Sequence, residues 1–352
     1  MARLPPPKLV IARGKSPAVR AVEQLSANRV AVIDAASRIG GRKLAQMLKR
    51  AQLQLRQRLP TINPQAEFTR AAQQQTLAQV NLMARMLKVG VEQAVREQSH
   101  TAAEKGADAM LRYIVDAEKR FTGVSTLGPR IEDAVQLDVA VAGADATVLR
   151  RVATDPKHRG KAAQAGVIDR YGIAVVSRFE STIQQSLLTN QTWGETREAL
   201  IGDSEWLQQA PMYWAERILR TEVAGALNRS GHECMQQAEE ELGPMLRILS
   251  AVFDSRTGAD SMACHGQVRR MNEPFDTWYG ACMTPPDRSN DRGCVVPHMR
   301  EWALPGELMP VPWEQVVARW AEQTRSKKHP GGRPGMPPRP LMSTVPGFGV
   351  PG

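Results

Sequence analysis

Aromatic residues are scarce in this chain of 352 residues, at 5% of the total. Alanine, glutamine, leucine and arginine dominate the first two thirds instead, and most of these residues favour helices. Because hydrophobic residues still make up 42% of the chain, we expect part of it to bury a core. Its length allows two or three domains of ordinary size.

Cysteine is also scarce, and no CxxC pair occurs among the four cysteines. Widely spaced thiols in a chain of this length do not make a disulfide framework, so we expect a reducing compartment. Structural zinc usually takes four ligands that arrive as closely spaced pairs, and here only Cys294 and His298 form a usable pair. We therefore expect no structural zinc and no other cofactor. The candidate soft ligands are Cys264, His265, Cys282, Cys294 and His298.

Long apolar runs are missing as well. No stretch reaches about 18 apolar residues, so we expect no membrane span. The opening residues MARLPPPKLVIARGK lack the apolar centre of a signal peptide. In contrast, positive charge is in excess, with a formal net charge of +10. This balance suggests contact with polyanions, nucleic acid above all, although an acidic protein partner would also fit.

The signatures of common enzyme classes do not occur: there is no GxSxG elbow, Walker A loop, HExxH motif or Rossmann glycine pattern. Ser, Cys, His and Asp do cluster in DSRTGADSMACHGQV, residues 254–268. Cys264 and His265 are adjacent, and neighbours on an extended chain point to opposite faces, so we expect no dyad. The sequence therefore favours a non-enzyme. The alternative is a hydrolase or toxin-like effector that uses Asp254, Cys264 or His265.

Residues 1–125 contain a basic, Pro-rich arm and a long helical region. Four prolines in residues 1–17 predict an extended arm. In residues 18–125, apolar residues recur every three or four positions, which predicts two long antiparallel helices. The second helix should begin near Pro64. The glycines expected to interrupt or kink these helices are Gly40, Gly41, Gly90 and Gly106.

The rest of the chain predicts three further segments. Residues 126–205 form a helical middle region, in which Thr192 is a good N-cap. Residues 206–325 contain a long helix that stops at Gly243-Pro244, a buried strand and a small α+β knuckle. Residues 326–352 are rich in proline and glycine, which predicts a tail that is disordered unless a partner holds it. The expected fold class is mainly α with a small α+β C-terminal knuckle.

The run at 254–268 has three interpretations: a metal site, a catalytic loop or a turn-rich structural knuckle. Side chains of Asp254 and Thr257 can bond backbone N–H groups two or three residues on. Arg256 can hold a carboxylate with two hydrogen bonds, and Gly266 permits a positive φ. These features favour a structural knuckle.

The long helix before it contains RILRTEVAGALNRSG, which places Arg220, Val223 and Leu227 along one face. Its Arg/Glu face is either solvated, or Arg220, Glu222 or Asn228 docks onto the knuckle.

Together these two stretches resemble the phage Mu protein F-like minor head proteins, also called phage head morphogenesis proteins. The family pattern is a helix with R-T-E and a downstream Asn, then D-x-R-T, a hydrophobic-flanked glycine, a P-P segment and a C-R-C-like ending. Many members have cysteines where this chain has Gly258 and Ser261, and the ending here keeps one cysteine. The matching positions are Arg220, Thr221, Glu222, Asn228, Asp254, Arg256, Thr257, His265, Gly266, Val268, Pro285, Pro286, Cys294 and Pro297.

The resemblance implies a structural minor capsid protein of a tailed bacteriophage. Such a protein would be present in few copies and needed for head assembly or for genome packaging or delivery. Its partners would be the portal protein and the major capsid protein, with packaged DNA as a further, non-specific partner. Its place would be the phage head near the portal vertex, and the host cytoplasm during assembly. The alternative is a DNA-binding internal virion protein that is ejected with the genome.

Overall fold

A computed structural model describes residues 17–59, 63–66, 68–122, 176–189, 191–206, 210–287, 291–299, 302, 306–326, 336 and 338–345. The predicted arm, residues 1–17, lies outside this set apart from its last residue, and so do residues 123–125 of the predicted long-helix region and 126–175 of the middle region. Within the described ranges the chain is mainly helical with a small antiparallel sheet near its C-terminal end, which confirms the predicted fold class.

Five helices precede the first strand. They are α1 (Pro17–Arg58), α2 (Arg70–Thr122), α3 (residues 176–188), α4 (Trp193–Trp206) and α5 (Ala210–Leu242). The elements that follow are β1 (Leu246–Ser250), α6 (Ala259–Cys264), β2 (Val268–Arg270), β3 (Phe275–Thr277), β4 (Gly280–Cys282), β5 (Cys294–His298), a 3-10 turn (Gly306–Leu308) and α7 (Trp313–Ser326).

Two of the predicted helix boundaries are confirmed. Thr192 caps α4, because its hydroxyl accepts the N–H of Glu195 at 3.3 Å while the Glu195 carboxylate accepts the N–H of Thr192 at 2.8 Å. Helix α5 stops at Gly243, whose φ is +91°. The predicted start near Pro64 is wrong, since α2 begins at Arg70 and the Thr69 hydroxyl accepts the N–H of Ala72.

The prediction that glycines interrupt the long helices is wrong, because α1 and α2 are continuous through all four positions. Three of these glycines allow close packing instead. A Cβ on Gly40 would overlap the Leu219 side chain, and one on Gly106 would lie 2.6 Å from the carbonyl oxygen of Leu227. The glycines therefore allow neighbouring side chains or backbone to approach α1 and α2 closely, and neither helix is interrupted.

The contacts group the chain into two compact units. The first unit contains the described residues from 17–33, 99–122 and 223–345, and the second contains those from 34–98 and 176–222. Helices α1, α2 and α5 contribute residues to both units. The predicted domains were successive segments of the chain, whereas each unit combines stretches that are far apart in the sequence.

The first unit contains a three-stranded antiparallel sheet in the order β2-β1-β5 and a separate β3-β4 hairpin. All five residues of β1 are buried, which confirms the predicted buried strand. In the register of the sheet, Ile248 lies opposite Val268 of β2 and Val296 of β5. One core cluster joins α2 and α5 to the strands through Met110, Ile114, Met235, Phe275 and Val295.

The prediction of a disordered tail does not hold for residues 338–345. Ser343 forms a parallel bridge with Val268 of β2, and Val345 is buried among the side chains of the sheet. Residues 327–335, 337 and 346–352 lie outside the described residues.

Candidate functional site

The loop after β1 is organised by the carboxylate of Asp254. The guanidinium of Arg292 donates to both of its oxygens, each at 2.7 Å, and the backbone N–H of Arg256 donates to one of them at 2.8 Å. Arg256 was the expected bidentate partner, but its side chain is 58% exposed and reaches a single oxygen at 3.3–3.4 Å. Arg292, whose side chain is 9% exposed, makes the bidentate pair.

These donors hold the pKa of the Asp254 carboxyl well below its usual range, chiefly through the hydrogen bonds from Arg292. The carboxylate therefore stays ionised at neutral pH and is a weak base. Enzymes tune a general base toward the operating pH, which is the opposite shift. The electrostatics of this aspartate thus support the structural interpretation of the loop.

Thr257 closes the turn that Asp254 begins. Its hydroxyl donates to the carbonyl of Val252 at 2.5 Å and accepts the N–H of Asp254 at 2.8 Å. The predicted bond to an N–H two residues on is confirmed for Asp254, whereas Thr257 bonds the N–H three residues before it. Arg319 of α7 stabilises the same turn. Its guanidinium donates to the backbone carbonyls of Thr257 and Ser255, at 2.9 and 2.8 Å.

His265 and Gly266 lie where α6 returns to the sheet. The His265 ring is buried, and its Nδ1 accepts the N–H of Ala251 at 3.0 Å. Gly266 has a φ of +80°, and an added Cβ would lie 2.6 Å from the backbone nitrogen of Pro310. Both residues therefore fix the turn between α6 and β2.

The premise that Cys264 and His265 lie on an extended chain is wrong, because Cys264 is the last residue of α6. Their side chains nevertheless contact different groups. The Cys264 thiol lies 3.6 Å from the carbonyl oxygen of Asp276, whereas the His265 ring bonds Ala251 and packs edge-on against Phe253.

Asn228 of α5 is the point at which the long helices meet the knuckle. Its amide nitrogen donates to the carbonyls of Ala224 and Gly293, both at 3.0 Å, and its oxygen accepts from Arg29 of α1 at 3.1 Å. The same guanidinium nitrogen of Arg29 donates to the carbonyl of Val295 in β5 at 3.1 Å. Of the two alternatives for this helix face, the structure shows the docking of Asn228 onto the knuckle.

The other helix residues of the motif lie in the second unit. Arg220 donates to the hydroxyl of Ser37 at 3.4 Å, and the buried Thr221 donates to the carbonyl of Arg217 at 2.8 Å. Glu222 is half-buried there. All three residues belong to the second unit, where Arg220 bonds α5 to α1.

The remaining motif positions line the first unit. Pro286 packs against α5 beside Gly225, where an added Cβ would contact its ring at 3.4 Å, and Pro285 lies similarly close to Gly293. Cys294 begins β5 opposite Ser250, and its buried thiol lies 3.7 Å from the hydroxyl of Ser26 in α1. The structure therefore brings most of the motif together around one junction of α1, α5, β1 and β5.

Sequence reasoning missed two buried arginines of the sheet. Arg247 of β1 donates to the carbonyls of Arg270 at 3.1 Å, Met283 at 2.5 Å and Glu273, and it lies over the ring of Phe275. Burial lowers its pKa to about 10. The sequence signal that could have identified this site is an arginine inside an apolar run, because a buried charge needs hydrogen-bond partners.

Arg269 of β2 is the second missed residue. Its side chain is 1% exposed and donates to the carbonyls of Pro274 and Val268, at 3.0 and 2.8 Å, and to the side chains of Gln267 and Asp276, at 3.0 and 3.2 Å. Like Arg247, it satisfies its guanidinium mainly with backbone carbonyls. The knuckle thus compensates for its small apolar core with polar bonds.

The candidate metal ligands do not assemble. Within the ranges that the structure describes, no group of three or more His, Cys, Asp or Glu side chains could hold a metal ion. None of the four cysteines, all of them in the described ranges, forms a disulfide, and three of them are buried. Cys264 and Cys282 both line a small, partly open pocket, together with Phe275 and Asp291. The expectation of no structural zinc stays a prediction.

Comparisons of the chain with protein-family models, curated proteins and solved structures found no match. Among the described helices, none is both long enough and apolar enough to cross a membrane. The fold and the site describe a mainly helical protein. Its long helices are hydrogen-bonded to a small α+β knuckle that contains many buried polar bonds.

Proposed function

We propose that this chain is a structural minor capsid protein of a tailed bacteriophage, associated with the portal and required for head assembly or genome packaging. The observation that carries the proposal is the convergence of the motif. Asn228 and Asp254 come from different elements, and both bond the segment 292–294, which contains the motif's Cys294. Thr257 and Gly266 fix the turns on either side of α6.

The chemistry of this junction supports a structural role. Its carboxylate is held ionised by Arg292, its histidine is buried against a backbone N–H, and its cysteines are free thiols. The long helices, which include the 42 residues of α1 and the 53 of α2, offer extended surfaces to a ring-shaped partner.

Quantitative mass spectrometry of purified particles tests the proposal. We expect a few copies of this chain per particle relative to the major shell protein, and co-purification with portal rings. Absence from both mature and immature particles would contradict it, and the effector alternative would then come first. The alternative has its own test, since alanine at Asp254, Cys264 or His265 would abolish an activity while the fold persists.

A second function, non-specific DNA contact, is favoured by a basic surface on α1. Residues 35–59 contain seven lysines and arginines and no acidic residue, and all seven side chains are exposed. At 100° per residue, Arg38, Arg42, Lys49 and Arg56 fall within about 40° of one another and extend over about 27 Å of helix. We call these four residues the basic stripe. Phosphate backbones are the polyanions that such a stripe fits.

The basic stripe can be tested by binding duplex DNA at several salt concentrations. Replacing Arg42, Lys49 and Arg56 with glutamine should weaken binding and lower the salt slope by about 0.9 per lost phosphate contact. The matched control removes the same charge from exposed, ion-paired positions elsewhere, at Arg112, Arg197 and Arg270. Equal binding by the two triple variants would show that only net charge matters and would contradict a specific stripe.

A further inference from the structure

The outer edge of β2 is occupied by the chain's own C-terminal segment, residues 338–345, which we call the strap. β2 is the end strand of its sheet, so its outer backbone groups need partners. The strap supplies them: the N–H of Val268 donates to the carbonyl of Met342 at 2.8 Å, and Ser343 forms a parallel bridge with Val268. The strap thus extends the sheet by strand addition.

Arg269 recognises the backbone of the strap. Its guanidinium donates to the carbonyl of Leu341 at 2.6 Å and to that of Met342 at 3.3 Å. The buried side chain of Gln267 and the carboxylate of Asp276 hold the same guanidinium in position. A preorganised, buried arginine of this kind reads an extended main chain and not a particular side chain at those two positions.

Two side chains of the strap add sequence specificity. Val345 is 5% exposed and belongs to the same buried cluster as Val268, and the hydroxyl of Thr344 bonds the carboxylate of Glu273. In contrast, Leu341 is 58% exposed and is recognised by its carbonyl alone. The site therefore fits an extended peptide with a hydroxyl residue followed by a small apolar residue at its end.

Without the strap, the Val268 N–H and the strap-facing donors of Arg269 would bond water, and the edge of β2 would be open to pairing with another chain. Nothing in the chemistry of this edge requires that the strap come from the same chain. The intervening residues 327–335, KKHPGGRPG, are mostly Pro, Gly and charged residues, a composition with little capacity to bury an apolar core. Exchange of an identical segment between copies preserves every contact and is a low-cost route to association.

We propose that the β2 edge is a strand-exchange site, at which the strap of one copy binds the sheet of a second copy. The partner is this same chain, because the strap sequence is the one that the site is seen to fit. Exchange would link neighbouring copies without a new interface. This proposal is independent of the proposed function, since it concerns copies of the chain in solution.

Cysteine cross-linking of the full-length chain tests it. Thr344 and Glu273 are bonded and accessible, so we place Thr344→Cys in one preparation and Glu273→Cys in another, both with Cys282→Ser to remove the half-buried thiol. After mixing and mild oxidation, strand exchange should give a covalent heterodimer. An excess of a synthetic peptide of residues 338–345 should suppress it, because the peptide competes for the same edge.

Two controls make the result decisive. The pair Thr344→Cys and Tyr279→Cys carries a more exposed cysteine away from the edge and so sets an upper level for random cross-linking. The double variant with both Thr344→Cys and Glu273→Cys in one chain should close a disulfide within a monomer when the chains are dilute. If the double variant closes while the mixed single variants stay at the random level, the strap is held in its own chain and the proposal is wrong. If the double variant does not close, the strap does not lie at this edge and the proposal is also wrong.

Discussion

At the scale of single residues, Asp254 and Arg292 form a bidentate ion pair in the loop after β1. Replacing Asp254 with asparagine keeps the shape but removes the charge that Arg292 satisfies. We expect the free energy of unfolding to fall by about 2 kcal/mol, the size of a hydrogen bond to a charged group. Denaturant titration measures it. The control is Arg256→Ala, whose exposed side chain should change stability by less than about 0.5 kcal/mol.

The same pair makes stability depend on pH. Arg292 lowers the pKa of Asp254 in the folded protein, so the carboxylate stabilises the fold above its unfolded pKa of about 3.9. That contribution is lost as pH falls from there through the lower folded pKa. The native chain should therefore lose more stability below about pH 4 than Asp254→Asn does. Thermal unfolding of both proteins over a pH series checks this, and parallel curves would contradict it.

Asn228 is the matching residue on the helical side. Asn228→Leu would leave the Gly293 carbonyl without its donor and Arg29 without one acceptor, inside the core. We expect a loss of about 2–4 kcal/mol in the free energy of unfolding. Asn28→Ala is the control, because Asn28 makes a single exposed bond to Gln24. Similar losses for the two variants would show that the buried bonds of Asn228 add nothing.

At the scale of elements, two glycines allow the energetic cost of a positive φ to be measured separately from the cost of steric crowding. Gly243 and Gly266 both have positive φ, but a Cβ at Gly243 meets nothing within 4 Å, whereas one at Gly266 meets the Pro310 backbone at 2.6 Å. Gly243→Ala should cost about 1 kcal/mol for conformation alone. Gly266→Ala should cost about 2 kcal/mol more through overpacking. Chemical denaturation measures the loss of stability in both variants. Equal losses would mean that α6 can move away from the Pro310 backbone and so relieve the crowding at Gly266.

The elements also show which parts of the fold can be predicted from sequence patterns. Periodicity predicted the long helices and the apolar strand β1, because burial of one face or of a short run leaves a local signal. The glycine positions were misread for a physical reason: a helix tolerates glycine where a neighbour approaches closely, and the neighbour of Gly106 is more than a hundred residues away. The bidentate partner of Asp254 could not be named from the sequence for the same reason, since Arg292 lies 38 residues further along the chain.

At the scale of the whole molecule, the reactivity of the four thiols measures how readily the first unit opens to solvent. Cys234, Cys264 and Cys294 are buried and Cys282 is half-buried. Burial also raises the pKa of Cys234 to about 12, which further suppresses its thiolate. A thiol-specific chromogenic reagent should titrate one cysteine in the native protein and four in denaturant. Rapid reaction of all four under native conditions would show that the unit opens readily.

The composition of the two units explains what the sequence could not predict. The motif suggested a continuous domain over residues 206–325, yet the knuckle is completed by residues 17–33, 99–122 and the strap. Contacts such as Arg29 with Val295 join residues 266 apart, and no local pattern encodes them. The fold class and the core of the site were accessible from sequence, whereas the partners of the site were not.

The contact of Arg29 with Val295 has a consequence for synthesis of the chain. At roughly 5–20 residues per second, translation takes on the order of 15–50 s to reach Val295 after Arg29 has been made. During that interval the start of α1 has none of its partners in β5, and the edge of β2 waits still longer for the strap. A chain that stops before β5 cannot form the bond between Arg29 and Val295. The N-terminal part of α1 therefore reaches its native contacts in the first unit only after β5 has been made.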